Sequence, residues 1–251
     1  ALVVDDNVTN QLVALGLLKA AGYLVDVAAN GLECLKMVAQ NDYCLILMDC
    51  HMPQMDGHEA TRKIRERASD GSHTPIVAMT ANVLDGERER CLASGMDDYM
   101  SKPLNRTKLE ATLKRWVEEV EPTTIDTPTP QTAPPSENEH INKIIFTELE
   151  KQLGTELDDI MTSFSESIPL HLNGLYKAIE LENTEDIARL ALTIRGSASN
   201  FGAHYLVKHC QQLEKAARSN ALDDTHQLYK AIEEAAKELL DFLSAYERSK
   251  H

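Results

Sequence analysis

The pattern of apolar and polar positions divides the chain into two halves of different character. In the first half, short and nearly continuous apolar runs recur: ALVV (1–4), YLVDVAA (23–29), CLILM (44–48), PIVAMTA (75–81) and DYMSKP (98–103). Between them, residues 8–21, 31–40, 57–67, 86–94 and 106–118 carry apolar residues at helical spacing. Strands that are apolar on both faces, each followed by a helix, predict an α/β fold with a doubly wound, five-stranded parallel sheet. From residue 141 no strand pattern remains. Helices are predicted near 142–152, 155–182, 184–202, 204–219 and 223–247, punctuated by Gly154, Asn183, Gly202–Ala203 and Asn220. Such a series folds as an all-α antiparallel bundle.

One of these helices has a face that its period does not explain. With residues 185–201 set at about 100° intervals, Ile187, Leu190, Ala191, Ile194, Ala198 and Phe201 form a core stripe. The opposite, polar face holds Glu185, Arg189 and Ser199, but also Leu192 and, one turn on, Gly196. Glycine in a helix interior costs about 1 kcal/mol relative to alanine. Its presence beside an aliphatic residue on an outer face fits the close approach of another surface.

Composition adds three things. The segment between the halves, EPTTIDTPTPQTAPPSENEH (121–140), holds five of the nine prolines and four acids with no base. It cannot bury a core and is expected to be an extended linker, giving domains at 1–120 and 141–251. The formal net charge of −15 falls as −5, −4 and −6 over the three segments. A chain this acidic repels phosphate backbones, so nucleic acid is excluded as a partner. Five cysteines without a C-x-x-C pair disfavour a disulfide framework or a cysteine zinc site. His58, His73, His140, His171, His226 and His251 stand singly and are expected at the surface, with no mixed His/Cys cluster at metal-ligand spacing. No apolar run is long enough to span a membrane. The chain opens directly on an apolar run without Met, which reads as a fragment.

The ends of the predicted strands carry the candidate chemistry. The first ends in Asp5-Asp6, the third in Asp49, the fourth in Thr80 and the fifth in Lys102-Pro103. Parallel strands bring these ends to one edge, where three carboxylates repel one another unless a hard cation such as Mg²⁺ lies between them. A lysine and a hydroxyl at the same edge suit the oxygens of a phosphoryl group.

The segments LVVDDN, LILMDCHMPQMDG, VAMTAN and DDYMSKP resemble the receiver domain of two-component signalling proteins over residues 1–120. The resemblance implies a flavodoxin-like sheet of order 2-1-3-4-5, with Asp49 as phosphoacceptor. It implies that Asp6, Asp49 and the backbone carbonyl of His51 hold Mg²⁺, Asp5 acting through water. Thr80 and Lys102 would bind the phosphoryl oxygens, Tyr99 would move with Thr80 on activation, and Asn82 and His51 would tune dephosphorylation. The receiver-like half departs from that pattern at no essential position.

The second half resembles the histidine phosphotransfer (HPt) domain over residues 142–247. In LALTIRGSASNFGA, the residues Ala191, Ile194, Arg195, Gly196, Ser197, Ala198, Gly202 and Ala203 match the family motif. The phosphoryl-accepting histidine does not; its place is taken by Leu192, which has no nucleophilic nitrogen. By this resemblance Leu192, Arg195 and Gly196 mark the face that meets a receiver. The bundle is either a naturally degenerate docking domain or a His-to-Leu form of an active one.

Receiver, linker and HPt in this order resemble the C-terminal end of bacterial hybrid sensor kinases. The implied partners are a histidine kinase domain and response regulator receivers, in the cytoplasm. Membrane contact by these residues is not expected. A haloacid-dehalogenase-like phosphatase is disfavoured because Asp49-Cys50-His51 lacks the second acid that such an enzyme needs. A non-catalytic adaptor is the rival of another class.

Overall fold

The computed structural model describes residues 1–67, 73–80, 87–117 and 140–250. The linker expected at 121–140 lies, apart from His140, outside the described residues, as does Asn82. Five strands, β1 (Leu2–Val4), β2 (Asp26–Ala28), β3 (Ile46–Asp49), β4 (Ile76–Thr80) and β5 (Asp98–Ser101), form one parallel sheet of order β2-β1-β3-β4-β5. Between and after them run α1 (Val8–Ala20), α2 (Gly31–Val38), α3 (Gly57–Arg67), α4 (Glu87–Ala93) and α5 (Arg106–Trp116).

Side chains alternate across the sheet, as a pleat requires. Leu2, Val4, Ile46, Met48, Ile76 and Ala78 pack under α2, α3 and α4, with Cys34, Leu35, Ala60 and Cys91. Val3, Leu47, Val77 and Met79 face α1 and α5, with Val13, Leu17, Leu109 and Leu113. Helix starts are set by asparagine: Asn7, Asn30 and Asn105 each accept a hydrogen bond from the backbone three residues on. β2 is shorter than its apolar run, because Tyr23 to Val25 lie before the ladder and Leu24 is 92% exposed at the sheet's edge.

The second half is all helix: α6 (Lys143–Leu153), α7 (Glu156–Glu180), α8 (Thr184–Asn200), α9 (His204–Arg218) and α10 (Thr225–Ser249). Asn142 and Asn183 cap α6 and α8 in the same way. Phe164 and Phe201, both fully buried with ring centroids 4.9 Å apart, centre the bundle core.

The two halves are not independent bodies. The apolar cluster on the α1/α5 side of the sheet continues without a break into Phe146, Leu149, Leu153 and Leu157 of the bundle. Helix α1 is the junction: it packs on the sheet and also against α6, α7 and α8. Gly16 shows how closely. A Cβ there would lie 2.7 Å from Leu153 Cδ2 and 2.6 Å from Glu156 Oε2.

Candidate functional site: an acidic sheet edge covered by a helix

The carboxyl ends of β1, β3 and β4 deliver their side chains to one place, as the sequence predicts. Asp5, Asp6 and Asp49 bring carboxylate oxygens within 4.8 Å of one another. Asp5 is fully buried; its Oδ1 accepts from the Asn7 backbone N–H at 3.0 Å and from Asn10 Nδ2 at 3.2 Å. The Lys102 ammonium lies 2.6 Å from Asp5 Oδ2 and 2.9 Å from Asp49 Oδ2. Its backbone N–H donates to the Thr80 carbonyl at 2.7 Å, and a cis peptide follows at Pro103. Thr80, 2% exposed, closes the end of β4. Behind Asp49, Gly57 approaches so closely that a Cβ would lie 2.2 Å from the Asp49 carbonyl oxygen, so only glycine starts α3 here.

Electrostatics follow from this crowding. Burial raises the Asp5 carboxyl to about 6; Lys102 pulls it down and Asp49 pushes it up. Burial, then Asp5 and Asp49, raises Asp6 to about 7. Burial acts to lower the Lys102 pKa, but Asp49 and Asp5 outweigh it and raise it. Ionised together, three carboxylates and one ammonium leave two negative charges in a confined space. That donor set, hard oxygens with a residual charge of −2, fits a divalent oxygen-loving cation such as Mg²⁺. Its holders would be Asp6 and Asp49, with the His51 carbonyl and Asp5 beside them.

Tyr99 is half-buried on β5, packed against the cluster beneath α2, α3 and α4, with the Arg88 guanidinium 5.8 Å from its ring centroid. It stands one strand position before Met100 and is not among the residues lining the space above the three carboxylates.

That space is bounded by the bundle. A cavity of about 460 Å³ has Asp6, Asp49, His51 and Lys102 on one wall and Glu185, Arg189, Leu192, Gly196 and Arg218 on the other. Polar contacts flank it: Asn7 Nδ2 donates to Ser197 Oγ at 2.7 Å, and Asn200 Nδ2 donates to Asn10 Oδ1 at 3.0 Å. Gly196 is buried against Asn10, whose Nδ2 would lie 3.4 Å from an added Cβ. Leu192 is therefore half-buried rather than out on an open surface, and its helix face has a partner.

Arg195 differs from the expectation. It is not displayed on that face but is 5% exposed, paired through Nη1 with Glu214 Oε2 at 3.1 Å on α9. Burial of a guanidinium demands such a counter-ion, and the next helix supplies one. Its wall belongs to a second, smaller cavity with Lys102, Pro103 and His204.

The expectation for His58 is also corrected. It is 7% exposed, its Nδ1 is 3.2 Å from Ser94 Oγ, and with Cys50 and Cys91 it forms a buried group whose potential ligand atoms lie within 4.8 Å. Cys50 and Cys91, 3.7 Å apart at sulfur, come from β3's end and α4, 41 residues apart, so local spacing gave no sign of the group. The docking of the halves was missed too, although a signal existed. The α1 sequence VTNQLVALGLLKA is apolar round most of its circumference, which marks a helix covered on more than one side.

A parallel sheet with an acid–lysine–threonine edge, joined to a helical bundle, defines a class: a receiver followed by a phosphotransfer-type bundle. Comparison with known proteins gives the same result. Residues 1–114 match the family described as response regulator receiver domain, and residues 159–242 match the Hpt domain. The chain thus contains a receiver domain and an Hpt domain, the two parts of a two-component phosphorelay module. The "Aerobic respiration control sensor protein ArcB" of Escherichia coli O157:H7 is 31% identical over 217 residues, which are 85% of this chain and 27% of that protein. The "Hybrid signal transduction protein dokA" of Dictyostelium discoideum is 42% identical over 116 residues, 46% of this chain and 7% of that protein. The chain spans only 6–27% of the length of such curated relatives. Among solved structures, the receiver domain of sensor histidine kinase PA1611 from Pseudomonas aeruginosa PAO1, described with a magnesium ion in its active-site cleft, is 44% identical. It covers 46% of this chain and 94% of its own, with a TM-score of 0.43. Among the described residues, no helix is long and apolar enough to cross a membrane.

Proposed function

We propose that the receiver half takes a phosphoryl group onto Asp49 and that the bundle docks receivers without carrying phosphate itself. The observation that carries this reading is the convergence of Asp5, Asp6, Asp49, Thr80 and Lys102 at one sheet edge, facing Leu192 where the motif has its histidine. An Asp49 carboxylate oxygen attacks phosphorus in line. The donor's phosphorus–nitrogen bond breaks, its electron pair stays on the donor imidazole, and an aspartyl phosphate forms. Lys102, already 2.9 Å from Asp49, supplies an ammonium to the oxygens of the transferred group, and the Thr80 hydroxyl donates to them. Asp5 keeps Lys102 in place through the 2.6 Å contact. Mg²⁺ held by Asp6, Asp49 and the His51 carbonyl, with Asp5 through water, would supply charge neutralisation for that group. Tyr99, on the same face of the sheet as Thr80, would respond to it, and His51 would order or exclude the hydrolytic water.

The partners of this reading are a histidine kinase domain, on the same or another chain, and response regulator receivers. The setting is the cytoplasmic part of a bacterial hybrid sensor kinase, with domain boundaries near 1–120 and 141–251. Incubation with Mg²⁺ and acetyl phosphate should give a Mg²⁺-dependent adduct of one phosphoryl group, lost in Asp49→Asn. Equal labelling of the Asp49→Asn chain, or none in the parent, sinks the assignment.

A further inference from the structure

The bundle lies across the receiver's own phosphoacceptor, and the contacts that hold it there are numerous and specific. Apolar residues of α1 and of α6 and α7 share one core. Gly16 lets Leu153 and Glu156 approach α1 at distances that no side chain would permit. Asn7 and Asn10, which hold the Asp5 loop from one side, reach Ser197 and Asn200 of α8 on the other. Two guanidiniums, Arg189 and Arg218, line the cavity opposite the acidic edge, each also paired on its own helix, with Asp186 at 2.7 Å and with Glu214 at 3.0 Å. The residue closest to the motif's reactive position is Leu192, which can neither accept nor return a phosphoryl group.

We propose that this bundle is the resident occupant of its own receiver's docking face, closing Asp49 to the histidine of a second protein while leaving it open to small phosphodonors. The inference rests on reading Asp49 as the phosphoacceptor. The interface supplies the specificity and the shared chain supplies the occupancy. A tethered domain competes at an effective concentration on the order of millimolar, well above that of a free partner protein. A second protein must present a helix bearing histidine to the same edge, and α8 already covers it. A small donor needs only the cavity, which at about 460 Å³ admits acetyl phosphate readily. The occupant, lacking a nucleophile, cannot pass the group on, so phosphate placed on Asp49 is held rather than relayed within the chain.

The test separates the two kinds of donor, using full-length chains. The acceptors are the parent and a Ser197→Arg/Asn200→Arg chain, in which two long cations on α8 are driven against α1 while the receiver remains untouched. Small-angle scattering should show the second acceptor expanded. The macromolecular donor is a chain carrying Gly16→Glu, Asp49→Asn and Leu192→His, loaded on its introduced imidazole with phosphoramidate; Gly16→Glu frees its bundle. Transfer to Asp49 of the expanded acceptor should be at least about tenfold faster than to the parent, the ratio for a docked state holding roughly nine molecules in ten. Acetyl phosphate should load the two acceptors at similar rates.

Equal transfer from the macromolecular donor to both acceptors overturns the proposal, as does transfer to neither while acetyl phosphate loads both. An acceptor that keeps the parent scattering profile also overturns it, because the interface then tolerates what its geometry forbids. Failure of acetyl phosphate to label Asp49 in either acceptor is a different result, and removes the reading of the site on which the proposal rests.

Discussion

The receiver edge and the α8 face opposite it are matched in position and unlike in chemistry. On one side, burial is spent on charge: Asp5 fully buried, Asp49 and Lys102 nearly so, all held within hydrogen-bonding reach. On the other, burial covers a leucine, a glycine and two short polar side chains. Phosphotransfer requires a nucleophile on both sides of the gap; with Asp49 as the acceptor proposed above, this chain has it on one. The difference teaches that the docking geometry of a phosphotransfer bundle is encoded separately from its reactivity. Gly196, Ser197 and Asn200 make the fit, and none of them is the reactive position.

The strongest way to break the comparison is to make the sides alike. Leu192→His should turn a bundle with no phosphate into one that exchanges it with Asp49, read as an acid-labile, alkali-stable phosphohistidine after acetyl phosphate loading. If no phosphoramidate appears while Asp49 labels normally, position 192 does not face the acceptor.

A second substitution asks whether fold and chemistry are separable between the halves. Phe164→Ala removes one of two fully buried rings that meet at 4.9 Å, and a cost of about 3–5 kcal/mol is expected for such a cavity. Chemical denaturation should report that loss while acetyl phosphate still labels Asp49. A labelling rate that falls together with bundle stability would show that the receiver needs its cover to work.

The smallest effect is on the charged side alone. Asp5 and Asp6, at about 6 and about 7, sit above the usual 3.8. The folded chain therefore binds more protons than the unfolded one between about pH 4 and pH 7, and their contribution to stability falls as pH rises through that window. Without divalent cation, Tm should decline across it, less so in Asp6→Asn. With Mg²⁺ at a hundredfold excess over Kd, about 2.7 kcal/mol should be regained at pH 8, and less at pH 5, where the carboxyls hold protons. Equal Mg²⁺ stabilisation at both pH values contradicts this account of the acidic edge.

Much of this architecture is legible in one dimension. Each strand end that carries chemistry could be placed because parallel strands must finish on one edge, and helix limits agree with the apolar period to within a few residues. What could not be read is what covers what. His58 lies in a polar segment, yet Ser94 and the two thiols surround it. The motif resemblance assigns Arg195 to the face that meets a receiver, but Glu214 of the next helix takes it inward. Periodicity tells a helix which of its faces is apolar and is silent about the surface that face will meet. Leu192 and Gly196 gave notice that a partner existed. Only three dimensions show that the partner is the other half of the same molecule.

Asn7 shows how little is needed to join the halves. Its oxygen accepts from the Asn10 backbone and starts α1, while its nitrogen donates to Ser197 of α8. Aspartate would begin the helix equally well but has no hydrogen to offer across the gap, and would add a fourth negative charge beside three. The amide is an adhesive, written in one side chain, between the sheet's acidic edge and the helix that covers it.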